Sequence, residues 1–226
     1  MLQLFLDKVR EYVAHFTNAG MGIQYEDVYT PPSDNVFEPR GEVFFELRDA
    51  ETDEILEERH VDNVITKDMS ILLARLCKDS EETNGLLALA MGTGDGSWDL
   101  QNPPAATADQ RMLYSEISRK PFEDSWFVWP EGHPNEGEEA NVMTNVVDFK
   151  TTFAPSEAVG PLVEMGLVGG DADTQNPSPI SNVDAGDPYD PGVDVEGHDI
   201  LANYLTFKVI NKPDSAVMSI VWRITW

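Results

Sequence analysis

Two periodicities divide this chain. From residue 41 onward apolar and polar positions alternate, which is typical of strands with one buried and one solvated face. In the last segment a single face carries Met218, Ile220, Trp222, Ile224 and Trp226. Before residue 20 the apolar positions instead recur at spacings of three and four, which indicates a helix. The pattern therefore predicts a β-rich body over 41–226 that follows a helical N-terminus.

The body is predicted to be antiparallel. Residues 43–47 and 55–61 alternate on either side of a polar turn at 49–53, as in a β-hairpin. Further strands are predicted at 86–90, 147–153, 161–168, 203–210 and 217–226. Antiparallel strands that each bury one face predict a β-sandwich or a barrel-like domain.

Two short helices are expected within this body. One covers 68–78, with Asp68 as its N-cap and an apolar stripe of Ile71, Leu72, Ala74 and Leu76. The other begins at Thr107-Ala108-Asp109-Gln110, which matches a capping box. The fold class predicted from the sequence is thus mainly β, with two short helices in the body and an N-terminal amphipathic helix and arm before it.

Residues 1–20 are predicted to form a docking helix. Its apolar stripe consists of Leu2, Phe5, Leu6, Val9, Val13 and Phe16. Residues 21–40 include Pro31, Pro32 and Pro39 with little periodicity, so they are interpreted as an extended arm. Two interpretations of the helix follow: it inserts into a neighbouring subunit, or it folds back and completes the core of its own body. We expect docking, because the arm separates the stripe from its own domain.

The charge of the chain restricts its partners. Asp and Glu number 41 against 15 Lys and Arg, so the formal net charge is −26. This excess disfavours nucleic acid and anionic lipid, which both attract clustered basic residues. No apolar run reaches the ~18 residues of a membrane span, and residues 1–8 lack the basic leader of a signal peptide. We expect a protein made in the cytoplasm whose oligomers need salt, divalent cations or a basic partner.

Most acids of the second half lie in two loops, 131–139 and 171–199, which are also rich in Gly, Pro and Asn. Loops of this length are usually functional or mobile. In the second loop Asp171, Asp173 and Asp187 are candidate Ca²⁺ ligands, because hard cations require several oxygen ligands. The spacing of an EF-hand is absent, so a solvated acidic loop in a saline setting is the preferred interpretation. No other cofactor is predicted.

The sequence does not predict an enzyme. Four scattered histidines form no zinc motif, and no serine stands in a GxSxG elbow. The stretch Gly92-Thr93-Gly94-Asp95-Gly96 lacks the lysine of a phosphate-binding loop and is interpreted as a turn. The single cysteine, Cys77, is expected to be a buried apolar side chain. Carboxylates are abundant, but none is singled out as a catalytic pair.

Several pieces of the body follow one another in a characteristic order. They are the hairpin with Asn63-Val64-Ile65-Thr66 entering a helix, Leu89–Gly94, Ala106–Arg119, Phe149–Phe153, Val163–Leu167, and Phe207–Pro213 with Val217–Trp226. In this order they resemble small structural proteins of tailed-phage virions, of the tail-tip, baseplate or fibre-attachment type. The resemblance covers about residues 41–226 and implies a virion subunit that is assembled in the host cytoplasm. The N-terminal helix and the 171–199 loop depart from the common pattern.

The resemblance also implies how such a subunit works. It would bind other virion proteins and copies of itself, with no catalytic residues. A capsid decoration or head-fibre protein is the alternative within this class. From a different class, a carbohydrate-binding β-sandwich would use Trp126 and Trp129 as stacking platforms. For these two residues, core or interface packing is the preferred interpretation.

Overall fold

The alternation of the sequence produces nine antiparallel strands and one helix in the part of the chain that the computed structural model describes, residues 39–78, 84–170 and 199–226. The elements are β1 (Arg40–Asp49), β2 (Ile55–Ile65), α1 (Met69–Lys78), β3 (Asn84–Gly92), β4 (Glu116–Pro121), β5 (Asp124–Phe127), β6 (Val146–Phe153), β7 (Gly160–Gly170), β8 (Asp199–Lys212) and β9 (Ala216–Thr225). The predicted docking helix and nearly all of the predicted arm lie outside the described residues.

The strands form one curled sheet in the order β4-β3-β7-β8-β2-β1-β9-β6-β5. The predicted hairpin is β1–β2, with Val43 opposite Val61, and β9 pairs with β1 on its other side. The sheet is continuous, so the barrel-like expectation is confirmed in the form of a half-barrel, and the described residues do not form the two separate sheets of a sandwich.

The core lies on the concave face of the sheet. In β9 every second residue from Met218 to Ile224 is fully buried, as the alternation predicted. These side chains pack with Val43, Phe45 and Leu47 of β1, and with apolar residues of β3, β7 and β8. A large apolar side chain contributes about 1.5–3 kcal/mol when it is fully buried. The shared inner face is therefore what holds the curled sheet together.

At the junction of β2 with β8, a charged side chain on β2 hydrogen-bonds to the backbone of β8 where the backbone–backbone pairing ends. The backbone pairing between the two strands is limited to Val64–Tyr204 and Ile65–Asn203. Further along, the guanidinium of Arg59 donates to the carbonyl oxygens of Lys208 and Val209. It thus provides hydrogen bonds across a gap that the backbone ladder leaves open.

Side chains also join the two edges of the sheet. Beyond the end of β5, the backbone of Thr152 on β6 is hydrogen-bonded by one side chain from β4 and one from the turn that follows β4. Its carbonyl oxygen accepts from Nζ of Lys120 at 2.7 Å, and its N–H donates to Oε1 of Glu123 at 3.1 Å. Backbone groups that would form an open edge are thereby satisfied.

The helix α1 forms where the sequence predicted it, but its buried face differs. Met69 and Leu72 are buried against Ile200 and Ala202 of β8. Leu76, by contrast, is 43% exposed, and the neighbouring Ala74 and Cys77 are also exposed. The expectation of a buried cysteine was wrong, because only the first half of α1 reaches the sheet.

The second predicted helix is not found. Residues 107–110 form a turn, in which the N–H of Gln110 donates to the carbonyl oxygen of Thr107. The segment that follows covers the outer face of β3, β7 and β8 with Leu113. Its next two N–H groups, on Tyr114 and Ser115, donate to the carboxylate of Glu164. A tertiary acceptor therefore takes the donors that a helix would use. Within the described ranges, no helix is long and apolar enough to cross a membrane.

Candidate binding cleft at one end of the sheet

The antiparallel registers bring several chain connections to the same end of the sheet. We call this end the N-proximal end, and it carries Arg40, Ile65, Gly170, Asp199 and Thr225. Pro39 enters the body here, α1 follows here, and both flanks of the acidic stretch 171–198 lie here. The opposite end carries short turns, such as those between β1 and β2 and between β8 and β9.

A cleft of about 680 Å³ lies at the N-proximal end. The strand ends of β1, β2, β6 and β9 form one side of it, and the loop after β5 forms the other. Its lining consists of Pro39, Arg40, Gly41, Glu42, Asp62, Asn63, Ile65, Trp129, Pro130, Glu131, Glu136, Val146, Arg223 and Thr225. The cleft therefore combines a few apolar side chains, on both of its sides, with several charged ones.

The loop wall of the cleft is the first of the two predicted acidic loops. Its backbone is closed by hydrogen bonds from Trp129 N–H to the carbonyl of Glu138 and from Gly137 N–H to the carbonyl of Trp129. Gly137 has a φ of 82°, a left-handed conformation that favours glycine. The carboxylate of Glu136 accepts the N–H of Gly132 at 3.0 Å. Its acidic side chains are thus presented by a hydrogen-bonded turn.

The two tryptophans considered as sugar platforms differ in their exposure. Trp129 is only 8% exposed, and the ring of His133 stacks on it at 3.9 Å with an interplanar angle of 6°. Trp126 is half-buried on the edge strand β5, opposite Asp148 of β6. Trp129 therefore serves to pack the loop, in agreement with the preferred interpretation.

The charges in the cleft are unbalanced. Four carboxylates line it, from Glu42, Asp62, Glu131 and Glu136, together with two guanidinium groups. Arg223 is already engaged by a carboxylate outside the lining, that of Asp148, through two bonds of 2.8 Å that raise the pKa of Arg223. Arg223 also stands directly opposite Glu42 across β1 and β9, and Glu42 and Glu136 add to the rise of its pKa, so two guanidinium groups serve five carboxylates in and next to the cleft.

The remaining guanidinium belongs to Arg40. Its side chain is 70% exposed, and it lies 3.9 Å from the carboxylate of Glu131. On the strand side, Glu42 of β1 stands directly opposite Asp62 of β2. Like charges at directly opposed positions destabilise a sheet. The imidazole of His60 lies 3.6 Å from Glu42 and offsets this repulsion only when it is protonated.

Asn63 contributes an unusual polar group to the cleft lining. Both polar atoms of its side-chain amide are buried, and neither has a hydrogen-bond partner among the described residues. The amide lies over Gly41 so closely that a Cβ at that position would fall 1.8 Å from Oδ1 of Asn63. An unsatisfied buried polar group costs about 1–3 kcal/mol, so such a group calls for a partner.

Away from the cleft, the structure buries an ionic cluster on the outer side of β3, β4 and β8. The guanidinium of Arg119, 2% exposed, bonds Glu116 at 2.7 and 3.0 Å and Asp199 at 2.5 Å. Burial raises the pKa of Glu116, and the two carboxylates together raise that of Arg119 despite its burial. Asp199, the last residue of the predicted acidic loop, is therefore an anchor of β8.

A second buried carboxylate holds the loop after β3. Glu164 of β7 is fully buried and accepts four hydrogen bonds. Its donors are the N–H groups of Gly94, Tyr114 and Ser115, at 3.1, 3.1 and 2.9 Å, and the hydroxyl of Tyr204 at 2.7 Å. Of residues 92–96, which were interpreted as a turn, Gly92 ends β3 and the others form the loop that follows, with Gly94 at a φ of 70°.

The candidate residues predicted from the sequence are only partly within the described chain. The interface stripe of the docking helix and the Ca²⁺ candidates Asp171, Asp173 and Asp187 lie outside it. Across residues 39–78, 84–170 and 199–226, no group of three or more His, Cys, Asp or Glu is arranged to hold a metal ion. Sequence reasoning missed Asn63, Arg119 and Glu164. A signal was present for Glu164, because it interrupts the apolar run of β7.

Neither a family model nor a curated protein sequence matches this chain.

Proposed function

We propose that this protein is a structural subunit of a tailed-phage virion, placed in the tail, baseplate or fibre-attachment region. It acts through protein–protein assembly rather than catalysis. Its partners are other virion proteins and further copies of itself. The docking helix over 1–20 inserts the stripe of Leu2, Phe5, Leu6, Val9, Val13 and Phe16 into a neighbour. The resemblance of residues 41–226 to such proteins is the origin of this proposal.

The single structural observation that supports the proposal is that the two ends of the body differ. Pro39, where the predicted arm joins, lies at the N-proximal end together with Gly170 and Asp199, which flank the stretch 171–198. A subunit that attaches to neighbouring proteins of an assembly needs one end that is specialised for contact with them. The rest of the body, a curled sheet around an apolar core, serves as the spacer that such an assembly requires.

Purified particles provide the test. Virions from a culture that carries the gene are banded on a density gradient, and their proteins are quantified by mass spectrometry. We expect the protein at a constant ratio to the tail proteins, and on isolated tails after heads are removed. Recovery with empty heads alone would favour the capsid decoration or head-fibre alternative. Recovery of the protein only in the soluble fraction of the cells would refute a virion role.

Deletion of residues 1–20 tests the docking helix separately. We expect the truncated protein to keep the circular dichroism and cooperative melting of the full chain while it fails to enter particles. The interpretation that the helix completes its own core predicts instead that the truncated protein unfolds. An unfolded product would therefore refute docking while leaving the virion role to be judged from the particles.

A further inference from the structure

We propose that the cleft at the N-proximal end binds an extended, basic segment of a different protein. In this arrangement an Arg or Lys side chain lies among the carboxylates of the cleft, and the amide of Asn63 pairs with the backbone of the bound segment. The inference rests on the assembly role proposed above and specifies the chemistry of one partner.

The first argument is charge. The cleft offers four carboxylates, and Arg40 is the one lining guanidinium that is not engaged by Asp148. Counted together with Asp148, five carboxylates in and next to the cleft face the guanidinium groups of Arg40 and Arg223, which is a surplus of three carboxylates. Arg223 stands opposite Glu42 on β9, and a bound cation next to Asp62 and Glu42 would reduce the repulsion between these two carboxylates further.

The second argument is the amide of Asn63. An asparagine side chain has one acceptor and two donors, which is the complement of a peptide group. Here the acceptor and the donors are buried without partners in the described part of the chain, on the lining of the cleft. A peptide backbone that enters the cleft and displaces the covering atoms would satisfy both sides of this amide. A lone cation would satisfy only its oxygen.

The third argument identifies the partner as another protein. The chain has a net charge of −26, so a second copy brings further negative charge to an acidic cleft. Electrostatic complementarity favours fast association of oppositely charged surfaces and suppresses the encounter of like ones. A basic segment of a different virion protein satisfies this requirement.

The test uses the ¹⁵N-labelled full chain at low salt and a blocked probe peptide, acetyl-Gly-Arg-Gly-Arg-Gly-amide. We expect saturable shifts of the side-chain amide signals of Asn63 and of the indole N–H of Trp129, with binding that weakens as NaCl is added. The neutral analogue with Gln in place of Arg should bind at least threefold more weakly. The analogue with Glu should not bind.

Matched variants locate the binding site. The double variant Asp62→Asn/Glu136→Gln removes two charges from the cleft, and Glu51→Gln/Glu54→Gln removes two from the opposite end. We expect at least a threefold loss of affinity for the first and no change for the second. Asn63→Ala should weaken the Arg and Gln peptides by the same factor, because it removes a contact to the backbone.

Three results would overturn the inference. The first is equal loss in both double variants, which would indicate a general response to net charge. The second is an absence of shifts at Asn63. The third is saturable shifts with methyl glycosides but not with the Arg peptide, which would make the cleft a carbohydrate site. If the protein is present in particles but does not bind the Arg peptide, the proposal for the cleft is refuted and the virion role is not. Peptide binding by a protein that is absent from particles refutes the virion role alone.

Discussion

Replacement of Glu164 by Gln tests how the buried carboxylate supports the fold. The carboxylate accepts from three backbone N–H groups and from the hydroxyl of Tyr204. Gln keeps the shape of the side chain but turns one acceptor oxygen into a donor. At least one buried N–H or O–H then faces an N–H and loses its bond.

The magnitude follows from these contacts. A hydrogen bond to a charged group contributes about 1.5–3 kcal/mol, and a buried donor left without a partner costs about 1–3 kcal/mol. We therefore expect Glu164→Gln to lower the free energy of unfolding by about 3 kcal/mol. For a domain of this size that corresponds to a decrease of about 6–12 °C in Tm. The close approach of Glu164 Oε1 to Gly92, where a Cβ would fall at 2.5 Å, leaves little room for the amide to turn away.

The assay combines urea denaturation, followed by tryptophan fluorescence, with hydrogen exchange. Tyr204→Phe is the matched control, since it removes a single donor and should cost about 1–2 kcal/mol. Glu51→Gln, at an exposed position, should have no effect. We expect the faster exchange in Glu164→Gln to be concentrated in residues 93–115. A change in the free energy of unfolding of less than about 0.5 kcal/mol, the size expected of a neutral surface substitution, or a uniform increase of exchange would refute this reasoning.

Three further predictions concern buried or bridging cations. Burial lowers the pKa of Lys212 to about 8, from a usual 10.5. Between these values the unfolded chain binds more protons than the folded chain, so stability rises with pH. Calorimetry from pH 7 to 10.5 should show a rise in the free energy of unfolding about 1–3 kcal/mol larger than in Lys212→Met, and parallel curves would contradict this prediction. Arg119→Met leaves the carboxylates of Glu116 and Asp199 buried without their cation and should lower the free energy of unfolding by about 3–5 kcal/mol at pH 7. Burial raises the pKa of Glu116, so protonation of Glu116 should restore part of the stability toward pH 5. A loss of stability that does not depend on pH would refute this. Arg59→Met should lower the free energy of unfolding by about 1–2 kcal/mol and accelerate amide exchange in residues 205–212. Arg59→Lys lacks the planar fork of the guanidinium and should restore little of the stability or of the exchange protection. Unchanged exchange would show that the hydrogen bonds from Arg59 to β8 are dispensable.

The sequence alone determined the strands whose side chains alternate. A residue pattern of period two has only one way to bury its apolar face, so β1, β6 and β9 were predicted close to their observed bounds, while β2, predicted over 55–61, continues to Ile65. The helix α1 was also predicted, because its start signal and its apolar run are local. The short strands β4 and β5 were not, since their sequences Glu116–Pro121 and Asp124–Phe127 are too short and too polar to show a period.

Tertiary structure decided the features that join distant segments. Residues 107–115 have the signals of a helix, but Glu164, about 50 positions away, accepts the N–H groups of Tyr114 and Ser115. Local propensity is worth a few tenths of a kcal/mol per residue, whereas a buried carboxylate offers several charge-assisted bonds. The cleft belongs to the same category. Its walls come from strand ends and a loop that are separated in sequence, and the isolation of the Asn63 amide exists only once β1 and β2 have paired, because pairing places that amide over Gly41.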